Sequence, residues 1–107
     1  MAAMALVNAG HCLLGLERHF EAGGYYERAM ERGRASGLGA GRAAAANAAL
    51  NLAALCDEDD AAKRRELYGL AAALGRSSGT PLGRECATAA DRGLRAMEAG
   101  GDGGSGG

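Results

Sequence analysis

The chain has 107 residues, with 48% hydrophobic residues, 4% aromatic residues and a net charge of −1, which predicts one domain with a modest core. This charge gives no basic excess that would favour nucleic acid or an anionic membrane as a partner. The three cysteines, Cys12, Cys56 and Cys86, are widely spaced and odd in number, so we expect reduced thiols in a cytoplasmic protein rather than a disulfide framework.

The first predicted element is a helix over residues 2–16, which is the nearest stretch in the chain to a targeting or membrane segment. Asn8 and His11 interrupt its apolar character, and no Lys or Arg precedes it. A signal peptide begins with a positively charged region. We therefore interpret this stretch as a helix of the domain.

Four further helices are predicted, because Ala, Leu, Glu, Arg and Met dominate the chain and β-branched residues are almost absent. They are expected at about 19–36, 40–56, 59–74 and 80–98, with breaks at 37–39 and 75–79. Thr80 suits the N-cap of the fifth helix, and Pro81 suits its first position. The Gly-rich residues 100–107 predict a disordered tail, which leaves residues 1–99 as the domain.

The start of the fourth helix carries a charge cluster, with acidic residues at 57–60 and basic residues at 63–65. Acidic side chains are favoured at a helix N-terminus by the backbone dipole, and Asp60 lies i, i+4 from Arg64, as in a helical ion pair. A calcium loop would also need its glycine and its distal Glu. We therefore favour a capped helix start over a metal site.

The second helix carries small and aromatic residues on one face, where Ala22, Tyr26 and Ala29 are spaced i, i+4, i+7. This spacing predicts a helical face on which another helix packs closely. Met30 fits ordinary helix packing.

A repeat with a period near 40 runs along the chain. Asn8 in the first helix corresponds to Asn47 in the third, and the leucines that follow them keep the same offset. In the second and fourth helices a slightly longer offset pairs Tyr26 with Leu67 and Ala29 with Leu70. Such a period with two helices per unit predicts an all-α, α-hairpin solenoid.

On these residues the chain resembles the tetratricopeptide (TPR) repeat family. The residues that carry the resemblance are Leu6, Ala9, Gly10 and Leu13 on the first helix and Ala22, Tyr26 and Ala29 on the second. The resemblance implies about two and a half TPR-like repeats, with units at 4–38 and 42–75. The helix at 80–98 would then begin a third unit or cap the array.

The period near 40 is similar to that of the long-helix subtype of this family, which carries Asn before the small pair. The resemblance implies that Ala22 and Ala29 let the helices of a hairpin approach closely and that Tyr26 fills the gap to the next hairpin. The family usually has glycine in the hairpin turn, where this chain has Glu17.

The resemblance also implies a binding function. In the subtype, Asn side chains on the first helices face a concave groove and hydrogen-bond the backbone of an extended peptide, which would place Asn8 and Asn47 in the groove. Met4, His11 and Leu50 would line the same groove. The alternative is that both Asn are polar surface of Ala-rich helices. Because the first helices carry almost no Lys or Arg, nothing supports the carboxylate clamp of chaperone-binding members.

The sequence contains no convincing catalytic, metal or cofactor motif. His11 and Cys12 are adjacent and so point about 100° apart on a helix, and no C-x-x-C or H-x-x-x-H spacing occurs. The glycines of 37–41 follow no strand, so they predict a hinge between helices rather than a phosphate loop.

We therefore expect a non-enzymatic module without cofactor or metal that binds a partner protein or extended peptide. The alternative is a structural helical segment of a longer TPR chain or of a larger assembly, with no free ligand groove. An exposed apolar face and self-association would accompany that alternative.

Overall fold

The computed structural model describes residues 2–106, and within that range the chain forms five helices and no strand. The helices are α1 (Ala3–Gly15), α2 (His19–Ser36), α3 (Gly39–Leu55), α4 (Ala61–Ser78) and α5 (Pro81–Gly106). The predicted all-α class is confirmed. Met1 and Gly107, which belong to the predicted domain and the predicted tail respectively, lie outside the described residues.

One correction at a helix end concerns α4, which continues to Ser78 through most of the loop predicted at 75–79. The hydroxyl of Ser78 donates to the carbonyl of Gly75 at 2.8 Å, which satisfies a carbonyl of the last turn. Gly79 then ends the helix in the left-handed conformation, at φ 70°.

At the start of α5 the prediction is confirmed, because Pro81 is its first residue and the Thr80 hydroxyl accepts a hydrogen bond from the amide of Gly83 at 2.9 Å. At its other end α5 reaches Gly106, so the predicted end near Glu98 is wrong. Glycine costs about 1 kcal/mol per residue in a helix relative to alanine. The intrinsic helix propensity of the Gly-rich segment after Glu98 is therefore low. The flexibility of 100–107 stays a prediction.

The N-terminus of α4 is capped as predicted, but by a different set of contacts. Asp60 Oδ1 accepts a hydrogen bond from the amide of Lys63 at 3.2 Å. The Arg64 guanidinium donates to the carbonyl of Asp57 at 2.9 Å, and this contact replaces the ion pair expected between Arg64 and Asp60.

The helices form two layers. Each helix packs against the next one in the chain, and α1 with α3 and α3 with α5 also contact each other; in the part of the chain that the structure describes, α2 and α4 have no comparable contact. The molecule measures 46 × 32 × 18 Å, and its smallest dimension corresponds to about two helix diameters. Thus α1, α3 and α5 form one layer, and α2 and α4 form the other.

Most of the core residues are alanines, and many of them belong to α3. This central helix contacts all four other helices. Its buried residues are Ala43, Ala44, Ala45, Ala46, Ala48, Ala49 and Ala53. The largest side chains that are fully buried are Tyr26, Leu6 and Val7, all in the cluster formed around α1, α2 and α3. An alanine core buries little apolar area per residue, so its stability depends on close helix contacts.

A turn motif occurs twice, at 33–42 and 75–84. The two segments share the pattern G-R-x-S-G-x-x-x-G-R. In both, the Ser hydroxyl donates to the carbonyl of the first glycine, and the middle glycine has φ near 70°. We call this motif the repeated turn; it was not among the features predicted from sequence.

The repeated turn also corrects the register of the second and fourth helices. When the two turns are superposed, α2 and α4 coincide at both ends, which shifts the predicted pairing by one position. In the corrected register the buried Ala29 corresponds to the buried Ala71, and not to the half-buried Leu70.

Candidate functional site

The central helix exposes a narrow stripe on the layer formed by α1, α3 and α5. Asn47, Leu50 and Asn51 are half-exposed and Ala54 is exposed, and their spacing of i, i+3, i+4, i+7 puts them on one helical face. Most of the rest of α3 is buried by its neighbours. This face, which we call the amide stripe, therefore contains the amide side chains of α3.

The two amides of this stripe are joined. Asn51 Nδ2 donates to the side-chain Oδ1 of Asn47 at 2.7 Å and to its backbone carbonyl at 2.8 Å. This bond uses one lone pair of the Asn47 Oδ1, which leaves the second lone pair and both N–H groups of its side chain for a ligand. Asn51 was missed at the level of sequence, although its position four residues after Asn47 was a usable signal.

On α1 the corresponding positions are exposed. Asn8, the counterpart of Asn47 in the repeat, is exposed, as are His11 and Cys12, which correspond to Leu50 and Asn51 at the same offset. The structure thus leaves Asn8 exposed on α1 and Asn47 half-exposed on α3, and these two helices contact each other.

His11, predicted to line the groove, is held against α2. Its Nδ1 lies 2.6 Å from the hydroxyl of Tyr26, and the two rings meet edge to face with centroids 5.5 Å apart. The Tyr26 ring is completely buried, and this burial raises the pKa of its hydroxyl. A partner for that hydroxyl is required in the core, so His11 has a structural contact as well as an exposed edge.

Met4 and Leu50, the other predicted lining residues, are half-buried at the edges of the core. Met4 packs against the cluster around α1 and α2, and Leu50 packs against the cluster around α3 and α4. They can border a ligand site with their remaining exposed surface.

The positions of α5 that correspond to the amide stripe carry no amide side chain. In the register of the repeated turn, Asn47 and Leu50 correspond to Ala89 and Arg92, so no amide continues the series. A shallow depression of about 490 Å³ on this helix is bordered by charged and polar residues, including Arg84, Thr88 and Arg92. The third helix of the layer therefore presents charge rather than amides.

The small and aromatic residues singled out in the sequence lie mainly in the core. Leu6, Gly10, Ala22, Tyr26 and Ala29 are buried, and Ala9 and Leu13 are half-buried. A Cβ at Gly10 would lie 2.7 Å from the Tyr26 ring, so this glycine makes room for the ring. Tyr26 thus lies over α1 of its own hairpin, whereas the resemblance implies the gap to the next hairpin.

The thiols and carboxylates form no metal-binding arrangement in residues 2–106, where no three His, Cys, Asp or Glu side chains cluster. Cys12 is exposed, Cys56 is half-buried and Cys86 is buried, and all three are free thiols. Burial, followed by the charge of Glu85, raises the pKa of Cys86. Over the same range, no helix combines the length and apolar character needed to cross a bilayer.

Comparison of the chain with protein-family models, curated proteins and solved structures finds no significant match.

Proposed function

We propose that the chain is a TPR-like α-hairpin solenoid that binds an extended segment of a partner protein on the layer of α1, α3 and α5. It acts without catalysis, and the free thiols support a reducing compartment such as the cytoplasm. The observation that carries the proposal is the pair of amides on two helices in contact, with Asn8 exposed on α1 and Asn47 half-exposed on α3.

The mechanism follows from the chemistry of the amide. A carboxamide both donates and accepts hydrogen bonds, so it can pair with the N–H and C=O groups of an extended backbone whatever the ligand's side chains. The bond from Asn51 restricts the orientation of Asn47. A restrained amide loses less conformational entropy on binding than a free one.

The test begins with a displayed library of random peptides selected on the wild-type chain. Affinities of the selected peptides are then measured by fluorescence anisotropy for the wild type and for the Asn8→Ala, Asn47→Ala double variant. We expect the double variant to bind about tenfold or more weakly, since each lost hydrogen bond contributes about 0.5–1.5 kcal/mol. Glu31→Ala, an exposed change on α2, is the matched control and should bind like the wild type.

The peptide itself supplies a second readout. If the amides pair with backbone, N-methylation of alternate peptide bonds should abolish binding, while alanine substitution of most side chains should not. Selection of no peptide, or equal binding by the folded double variant, would contradict the proposal. Circular dichroism establishes that each variant is folded.

The alternative, a segment packed within a longer chain or larger assembly, is favoured by a different observation. Phe20 is 95% exposed, although it is one of only four Phe and Tyr residues in the chain. Its surroundings lie on the side of the molecule formed by α2 and α4.

A further inference from the structure

An apolar groove lies between α2 and α4, and α3 forms its floor; we call it the outer groove. Its lining residues are His19, Phe20, Gly23, Gly24, Glu27, Leu52, Leu55, Cys56, Lys63 and Leu67. Its volume is about 490 Å³. It is open because α2 and α4 both pack on α3 without comparable contact with each other in the described range.

The wall formed by α2 is low because two of its residues are glycines. A Cβ at Gly24 would have no atom within 4 Å, and a Cβ at Gly23 would only reach Leu55, at 4.0 Å. The intramolecular packing therefore does not need glycine at either position. Glycine is less favourable than alanine inside a helix, so the stability of the single chain does not explain the open wall.

Phe20 stands at the rim of this groove and is 95% exposed. A single exposed apolar residue is ordinary. Here it lies one helical turn before Gly23 and Gly24, beside a floor that contains Leu52 and Leu55. The surface thus carries a protruding aromatic ring next to an apolar depression.

The two walls carry opposite charges. Glu27 borders the outer groove on α2, and Lys63 borders it on α4. The ion pairs of the described residues are Arg18–Glu21 and Arg76–Asp91, so Glu27 and Lys63 do not neutralise each other within one chain.

We propose that a second copy of this chain docks in the outer groove. A two-fold axis along the groove places α2 of each copy opposite α4 of the other, as an isologous interface requires. Phe20 of each copy then enters the groove of the other, and Glu27 approaches Lys63 of the second copy. The net charge of −1 produces little repulsion between copies.

This surface is separate from the amide stripe. At 100° per residue, Leu52 and Leu55 are centred about 120° around α3 from the centre of the amide stripe. The dimer therefore leaves the stripe accessible, and the Asn8→Ala, Asn47→Ala variant should dimerise like the wild type.

The first experiment is sedimentation equilibrium of the full chain over a range of concentrations. We expect a monomer–dimer equilibrium in the wild type and a dissociation constant at least about tenfold higher in Phe20→Ala, because buried aromatic anchors dominate small interfaces. Leu38→Ala is the matched control, since Leu38 is a 69% exposed apolar residue that does not line the groove. It should dimerise like the wild type.

The second experiment exchanges the charges. Glu27→Lys alone and Lys63→Glu alone should each weaken the dimer about tenfold, because each places like charges opposite each other. An equimolar mixture of the two variants should form a heterodimer near wild-type affinity, since every facing pair is then opposite in charge. Recovery in the mixture also shows that neither variant had failed to fold.

A wild-type chain that remains monomeric up to about 1 mM, the limit of weak specific association, would overturn the proposal. So would a mixture that associates no better than the separate charge variants. If Phe20→Ala dimerises as strongly as the wild type, the dimer contact lies on another surface and the proposal is wrong.

Discussion

Replacement of Gly33 by alanine should destabilise the protein, although helix propensity alone predicts the opposite. Gly33 lies in the last turn of α2, at the first position of the repeated turn. A Cβ there would clash with the backbone carbonyl of Gly41 and would lie 2.9 Å from Ala45 Cβ and 3.1 Å from Ala45 N. Neither partner is the flexible end of a side chain, so α2 and α3 would have to separate.

The magnitude follows from two opposing terms. Alanine in place of a helical glycine contributes about 1 kcal/mol of stability. Carbon atoms prefer separations of about 3.5–4.0 Å, so the helices must move apart by several tenths of an ångström in an alanine core. Overpacking of this kind costs about 1–3 kcal/mol, occasionally more. Because the clash involves a backbone atom, we expect a cost in the upper part of this range. The net loss in the free energy of unfolding is then about 1–2 kcal/mol.

Gly69→Ala is the matched control, because it makes the same change inside α4 where a Cβ meets nothing within 4 Å and lies outside the outer groove. Thermal unfolding is followed by circular dichroism. We expect Tm to fall by about 4–16 °C in Gly33→Ala and to rise by about 4–8 °C in Gly69→Ala. A Tm for Gly33→Ala at or above that of the wild type would refute the argument that contact at this glycine limits the approach of α2 and α3.

Four further changes test other parts of the structure. Glu17 has φ of 59° in the turn between α1 and α2, so Glu17→Gly should raise the stability by about 1 kcal/mol in urea unfolding, and no gain would mean that the turn is unstrained. Ala29 is completely buried, so Ala29→Leu should cost about 1–3 kcal/mol, and an unchanged melt would remove its packing role. The raised pKa of Tyr26 means that its stabilising contribution is complete below the unfolded value of 10.0 and is lost as pH rises through the folded value; absorbance titration at 295 nm should show a late-ionising phenol that Tyr26→Phe lacks. Deletion of residues 100–107 removes the last part of α5 and should leave Tm unchanged, and a clear fall would mean that this segment stabilises the domain.

The helical content could be predicted because it depends on local chemistry. α2 begins at His19 and ends at Ser36, as predicted, and Gly37 after it supplies a C-terminal signal readable from sequence. The predicted C-terminal end of α4 is too early because Gly75 and the following serines resemble a loop. In the structure Gly75 is a packing residue that touches the backbone of α5, and that use of glycine depends on a neighbouring helix.

The candidate site could be predicted only in part. The spacing of Asn8 and Asn47 could be read from the repeat, and the structure leaves Asn8 exposed and Asn47 half-exposed. The contact of His11 with Tyr26 could not, since it joins two helices through a turn whose geometry the sequence does not specify. The outer groove was also missed, because it is formed by three helices and by the absence of side chains at Gly23 and Gly24.

The two repeats in the chain indicate which hairpins are equivalent. The repeated turns at 33–42 and 75–84 follow a slightly longer period than Asn8 and Asn47 do. The difference arises before α4, because residues 56–60 join α3 to α4 whereas only residues 16–18 join α1 to α2. The closest structural equivalents are therefore the hairpin α2–α3 and the hairpin α4–α5, which are joined by the same type of short connection.

This equivalence links the stability of the fold to both proposed surfaces. The contact of Gly33 with Gly41 and Ala45 fixes the rotation of α3, and that rotation directs Asn47 to one side and Leu52 and Leu55 to the other. A change at Gly33 should therefore weaken peptide binding and dimerisation together. Asn47→Ala and Phe20→Ala should each weaken only one of them. This pattern of coupled and separate losses distinguishes two surfaces that share one helix from a single surface misassigned as two.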